Sequence, residues 1–197
     1  PEALIQYGGL VLLLAIIFAE TGLFFGFFLP GDSLLFAAGL LAESPYIETS
    51  VTVLIILLII AAVLGTTVGY GVGRWAKSYL ENRSENFFYR KRYIEMTEEF
   101  YQRHGMMAFV LGRFLPIVRT FVPILAGMTH INFNKFFLYN VLGATIWVVT
   151  MVMAGHLLGN AFPHLIEYLE YIVFGMILVT TVPLIISFFR GRKPERN

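Results

Sequence analysis

Charges and prolines inside apolar runs constrain this chain more than any other feature. Arg113 and Arg119 lie in an apolar stretch that also carries Pro116 and Pro123, while Glu20 and Asp32 lie in another that is broken at Pro30-Gly31. A charge at the centre of a bilayer costs roughly 2.5 to 3.5 kcal/mol on insertion scales, so four of them are expected to serve a function. Prolines in both stretches imply interrupted helices, as in transporters whose substrate sites lie near the membrane midplane.

Apolar runs fill 8–41, 51–73, 106–128, 136–158 and 172–189 of the 197 residues. Each is long enough to cross a ~30 Å hydrocarbon core or to fold back within it. With 57% hydrophobic residues, the chain reads as an all-α polytopic membrane protein. One membrane domain over 1–197 is expected. The net charge of +1 leaves no soluble basic patch, so nucleic acid is not an expected partner. The absence of cysteine excludes disulfides, thiolate catalysis and Cys-based metal sites. Residues 1–10 lack the basic n-region of a secretory signal, so insertion is expected to rely on the spans themselves.

The basic residues are unevenly placed. Arg74, Lys77, Arg83, Arg90, Lys91, Arg92 and Arg103 fall in the 74–104 connector, and Arg190, Arg192, Lys193 and Arg196 in the tail. The connections 42–50 and 155–171 carry Glu43, Glu48, Glu167 and Glu170 but no Lys or Arg. The positive-inside rule therefore puts the 74–104 connector and the C-terminus in the cytoplasm. The run 106–128 then enters and leaves on one side, as a re-entrant hairpin broken at Pro116 and Pro123. Pro30-Gly31 marks the tip of a first hairpin over 8–41, whose N-terminal side stays open because 8–28 is long enough to span alone. The connector, with Phe87, Phe88, Tyr89, Tyr93 and Phe100 among mixed charges, reads as amphipathic helix on the cytoplasmic surface or as a plain solvated link.

An internal repeat fits this topology. Gly26-Phe-Phe-Leu-Pro30 reappears as Gly112-Arg-Phe-Leu-Pro116, Ala38-Gly39 as Ala126-Gly127, and Gly65/Gly69 as Gly155/Gly159. Each copy reads as a broken hairpin followed by a full span, and the charge rule orients the two copies oppositely, giving an inverted repeat with two opposed re-entrant helical hairpins. Gly65, Gly69 and Gly73 also form a small-residue face for helix packing.

The motifs Phe18-Ala-Glu-Thr-Gly22, Phe28-Leu-Pro-Gly-Asp-Ser-Leu-Leu-Phe-Ala-Ala-Gly39, Gly112-Arg-Phe-Leu-Pro-Ile-Val-Arg119 and Ala126-Gly127-Met128 resemble the DedA family of bacterial inner-membrane proteins, related to the VTT (SNARE-associated Golgi protein) domain. The first motif looks closest to the undecaprenyl-phosphate translocases. The resemblance implies that Glu20 and Asp32 on one hairpin and Arg113 and Arg119 on the other are the functional residues. It also implies a multi-pass inner-membrane location and transport of a polyisoprenyl phosphate, a phospholipid or protons. The chain departs from the family at Thr66-Thr67, where many members carry an acid, so that acid's role does not carry over.

A lipid phosphate must shed water to cross, and arginine replaces that water with a bidentate, permanently charged fork. Arg113 and Arg119 flank Pro116 and are expected to bind the phosphate, or alternatively only to pair with Glu20 and Asp32. Desolvation and a nearby arginine pull the protonation of Glu20 in opposite senses, which suits a proton carrier; a static salt bridge is the other reading. Asp32 follows Pro-Gly and is either a proton site or a helix cap. His104, His130, His156 and His164 are spaced for interfacial positions, with no metal site or cofactor expected. Trp75 and Trp147 read as anchors or packing; Asn140, within the fourth run, either reaches the central cavity or forms an interhelical hydrogen bond.

These readings converge on a non-enzymatic translocase. It would return undecaprenyl phosphate to the cytoplasmic leaflet, with protons as the coupled partner and a homodimer left open. The alternatives are a phospholipid flippase or scramblase, and a proton-coupled antiporter for small cations. No nucleophile and base are spaced for a lipid phosphatase.

Overall fold

The computed structural model describes residues 2–23, 26, 29–44, 47, 49–80, 107–129, 131–168, 171–176, 178 and 182. Helices α1 (Glu2–Gly22), α2 (Gly31–Leu41), α3 (Val51–Leu80), α4 (Met107–Leu111), α5 (Pro116–Met128) and α6 (Phe133–Ala161) follow in order. One 3-10 turn, Gly112–Phe114, links α4 to α5, and another, Pro163–Tyr168, follows α6. The described residues form no strand, only isolated bridges around Ile47. The protein is all-helical.

Among the described residues, two helices are long and apolar enough to cross a membrane, Val51–Lys77 and Phe133–Ala161. At 1.5 Å per residue, their 27 and 29 residues reach about 40 Å, more than the ~30 Å hydrocarbon core. The apolar helices Gly31–Leu41 and Val118–Met128 are shorter, and α2 with 11 residues reaches only about 16 Å. The surface is arranged as lipid requires. Val53, Ile56, Ile60, Leu64, Val68 and Val72 run down the outer face of α3 at helical spacing and are exposed, whereas Glu20, Arg113, Arg119 and Asn140 are buried. A water-soluble helix would reverse that order.

Several boundaries differ from the expected ones. The second span does not stop at residue 73: α3 continues to Leu80 and takes in the first part of the expected 74–104 connector. Trp75 and Lys77 fit that extension, since aromatic and long basic side chains suit the membrane–water boundary. The rest of the connector, 81–104, lies outside the described residues, as do 105–106 and most of the 172–189 run. Pro123 does not break its helix, because α5 runs continuously from Pro116 to Met128. Proline removes one donor and leaves the carbonyl four residues back without its usual partner, a loss that membrane helices tolerate when neighbours compensate. Pro116 does sit at a break, after the extended Leu115 and at the start of α5, where the missing N–H costs nothing. Pro30 and Gly31 do sit at a break, as N-cap and first residue of α2.

Glycines bring the helices into backbone contact, and the pattern fixes the register of the repeat. A Cβ on Gly39 of α2 would overlap the carbonyl of Val152 on α6, and one on Gly155 of α6 would overlap the carbonyl of Phe36 on α2. The second copy repeats this with roles exchanged: Gly127 of α5 abuts the carbonyl of Tyr70 on α3, and Gly73 of α3 abuts that of Ile124 on α5. Gly155 therefore corresponds to Gly73, two turns from the expected partner Gly65, which packs against Phe18 of α1. Each short helix thus docks on the long helix of the other copy. Around these seams, Ile17, Leu35, Leu54, Leu58, Ala144, Val148 and Val152 form the main core, and a Tyr70–Phe136 ring stack at 4.4 Å closes the second.

Candidate functional site

Four elements converge where the short helices begin. Glu20 lies in the last turn of α1, Asp32 in the first turn of α2, Arg113 in the 3-10 turn and Arg119 one turn into α5. Gly31 makes room for this meeting, since a Cβ there would fall on the Glu20 carboxylate. The structure brings all four expected residues to one region but splits them into two groups.

The first group is an ion-pair cluster around Arg119. Its Nη2 donates to Glu20 Oε1, and its Nη1 donates to Asp32 Oδ1 at 3.0 Å. Trp147 on α6 completes the cluster. Its Nε1–H donates to the same Asp32 oxygen at 2.7 Å, and its ring lies 4.4 Å from the Arg119 guanidinium carbon. Asp32 does not cap α2, whose N-cap is Pro30 with no side-chain bond. The cap reading is thereby overturned: the carboxylate accepts instead from Arg119 and Trp147.

The second group surrounds Arg113. Its Nη2 donates to Thr66 Oγ1 at 2.9 Å and to Asn140 Oδ1. Both partners are neutral, and both are held by α3: Thr66 donates to the Ala62 carbonyl at 2.8 Å, and Asn140 Nδ2 donates to the Val63 carbonyl at 3.2 Å. Arg113 Nη1 has no hydrogen-bond partner among the described residues, although the side chain is only 4% exposed. The alternative in which both arginines pair with Glu20 and Asp32 holds only for Arg119. Two carboxylates on one arginine leave the other cation without a counter-charge among the described residues. Burying such a charge costs several kcal/mol unless something compensates it.

Arg113 and Arg119 line one cavity with Thr66, Gly112, Val118, Val122, Pro123 and Asn140. Its volume is about 10 Å³, about what one water molecule needs. Among the described residues no three His, Cys, Asp or Glu side chains converge to hold a metal. His156 faces Asn160 at 3.1 Å on an exposed part of α6, and His164 is exposed beyond it; His104 and His130 lie outside the described residues.

Asn140 both forms an interhelical hydrogen bond and lines the cavity, the two readings the sequence allowed. Sequence reasoning missed two participants: Trp147 was read as anchor or packing, and Thr66 only as the absence of an acid. Asn140 and Trp147 share one face of α6 at a spacing of two turns, with Gly143 between them. A Cβ on Gly143 would come within 2.9 Å of Arg113 Cδ. A polar residue, a glycine and a tryptophan in line within an apolar span were the available signal.

Residues 29–157 match the model of the VTT domain family. The chain belongs to the VTT domain family, the DedA family of membrane proteins. It is 39% identical to Protein DedA of Escherichia coli (strain K12) over 98% of this chain and 88% of that one. It is also 34% identical to an uncharacterised membrane protein of Mycobacterium leprae, over 99% of this chain and 86% of the relative. Inner membrane protein YqjA of Escherichia coli (strain K12) is 32% identical over 88% of this chain and 77% of its own length. No solved structure matches the chain. The matched VTT segment contains Asp32, Thr66, Arg113, Arg119, Asn140 and Trp147, while Glu20 precedes it.

Proposed function

We propose that this protein translocates a lipid phosphate, undecaprenyl phosphate, from the outer to the cytoplasmic leaflet of the bacterial inner membrane, with protons as the coupled ion. The observation that carries this reading is Arg113: a buried guanidinium with neutral partners, one unpartnered nitrogen, and a cavity beside it. A phosphate supplies the missing negative charge and the acceptor oxygens together. Arg119 offers a second fork once its carboxylates let go, and proton uptake at Glu20 or Asp32 would weaken their hold on it. A phosphate is larger than a cavity of about 10 Å³, so the helices around it must part for the headgroup to enter, and the polyisoprenyl tail stays in the lipid. Short α2 and α5, each docked on the long helix of the other copy, support two opposed re-entrant hairpins within one membrane domain over 1–197. In that arrangement the C-terminus faces the cytoplasm. We propose no enzyme chemistry and no cofactor.

Proteoliposomes loaded with fluorescent undecaprenyl phosphate and challenged with excess phospholipid test the substrate. Undiminished uptake under competition supports the polyisoprenyl phosphate, and equal competition by phosphatidylglycerol turns the reading toward a phospholipid flippase. The cation antiporter is tested with Arg119→Gln: cation flux that survives while lipid uptake is lost would put the carboxylates, not the arginines, at the centre.

A further inference from the structure

Trp147 makes two contacts that a core-filling residue does not need. Its N–H is spent on the Asp32 oxygen that also accepts from Arg119, and its ring face carries the Arg119 guanidinium. It is fully buried on α6, on the face whose Asn140 and Gly143 seat Arg113. One helix face therefore holds both arginines, each by a different kind of contact. The ring's attraction for a cation persists whether or not the carboxylates are ionised. The N–H to Asp32, by contrast, acts on the carboxylate and keeps it from following the arginine.

We propose that Trp147 is a positioning residue that sets the order in which the two arginines engage an anionic headgroup. Arg113, without a counter-charge, receives the phosphate first. Arg119 joins second, leaving Glu20 and Asp32 while remaining seated on the indole ring, and Trp147 retains Asp32 behind it. This inference rests on the lipid-phosphate reading, and it adds a residue and a sequence of events to that reading.

The test uses two variants of the full chain. Trp147→Phe keeps a ring and loses the N–H. In proteoliposomes scored per folded protein, kcat for undecaprenyl phosphate is expected to fall about tenfold with KM within about twofold, because reception at Arg113 is intact. A residue that only fills the core would leave both constants at the wild-type value. Trp75→Phe leaves Trp147 as the one tryptophan, so its emission reports this contact directly. Adding Asp32→Asn is expected to shift that emission without any ligand, and dodecyl phosphate is expected to shift it in the Asp32 protein. Wild-type kcat and KM in Trp147→Phe, or emission that ignores both perturbations, overturns the assignment of Trp147. Failure of wild-type protein to move undecaprenyl phosphate, with emission still responding to Asp32→Asn, leaves the indole contact standing and sinks both the function and the engagement order.

Discussion

The unequal charge balance of the two arginines makes their removal unequal in cost. Arg119→Met keeps an apolar stem but strands Glu20 and Asp32, two carboxylates whose shared cation is gone. Breaking a buried ion pair by removing one partner costs about 3–5 kcal/mol, which for a chain of this size corresponds to a fall in Tm of about 6–20 °C. Arg113→Met breaks bonds to Thr66 and Asn140 and leaves the Asn140 oxygen short of a donor, a loss of about 1–3 kcal/mol. It also removes a buried charge that has no counter-charge among the described residues, which returns an amount of similar size. The two effects nearly cancel, and Tm is expected to move by less than about 5 °C. Intrinsic tryptophan and tyrosine fluorescence during heating in detergent, at one fixed scan rate, reads both variants. Glu20→Gln and Asp32→Asn added to Arg119→Met should recover most of the loss. Equal large losses for the two arginine variants, or no rescue, would refute the division of labour between them.

Thr66→Glu would hand Arg113 a carboxylate partner, so lipid-phosphate uptake should fall at least tenfold without loss of Tm. Gly31→Val pushes side-chain atoms into the Glu20 carboxylate and should abolish uptake and lower the yield of folded protein, checked by size-exclusion chromatography. Gly39→Leu and Gly127→Leu drive side chains into the Val152 and Tyr70 carbonyls of the opposite copy. Each should cost at least about 1–3 kcal/mol by thermal unfolding, and Gly8→Leu, which meets nothing, should cost far less.

The charged residues were legible in the sequence because a charge in an apolar run has few innocent explanations. Their pairing was not, since whether Arg113 or Arg119 meets Glu20 depends on how α1, α2 and α5 cross α6, which periodicity does not encode. Trp147 escaped for the opposite reason: a tryptophan has an ordinary structural use in a membrane helix, and only its alignment with Asn140 and Gly143 sets it apart. The repeat was visible at Gly26–Pro30 and Gly112–Pro116, but its register in the long helices was ambiguous. Gly65, Gly69 and Gly73 recur every four residues, so Gly155/Gly159 can be laid on Gly65/Gly69 or on Gly69/Gly73, yet the backbone contacts match Gly155 to Gly73. Pro123 was read as a break because proline removes a donor, yet a single lost bond inside a packed membrane helix does not end it.

The proposed function stands on Arg113 as the buried cation that receives the lipid phosphate. Uptake of labelled undecaprenyl phosphate into proteoliposomes, comparing wild type with Arg113→Ala and Arg119→Ala, with and without a pH gradient, tests it most directly. The account predicts uptake by wild type that responds to the gradient and is lost in both variants while Arg113→Ala stays folded. Uptake that persists in well-folded Arg113→Ala would contradict it.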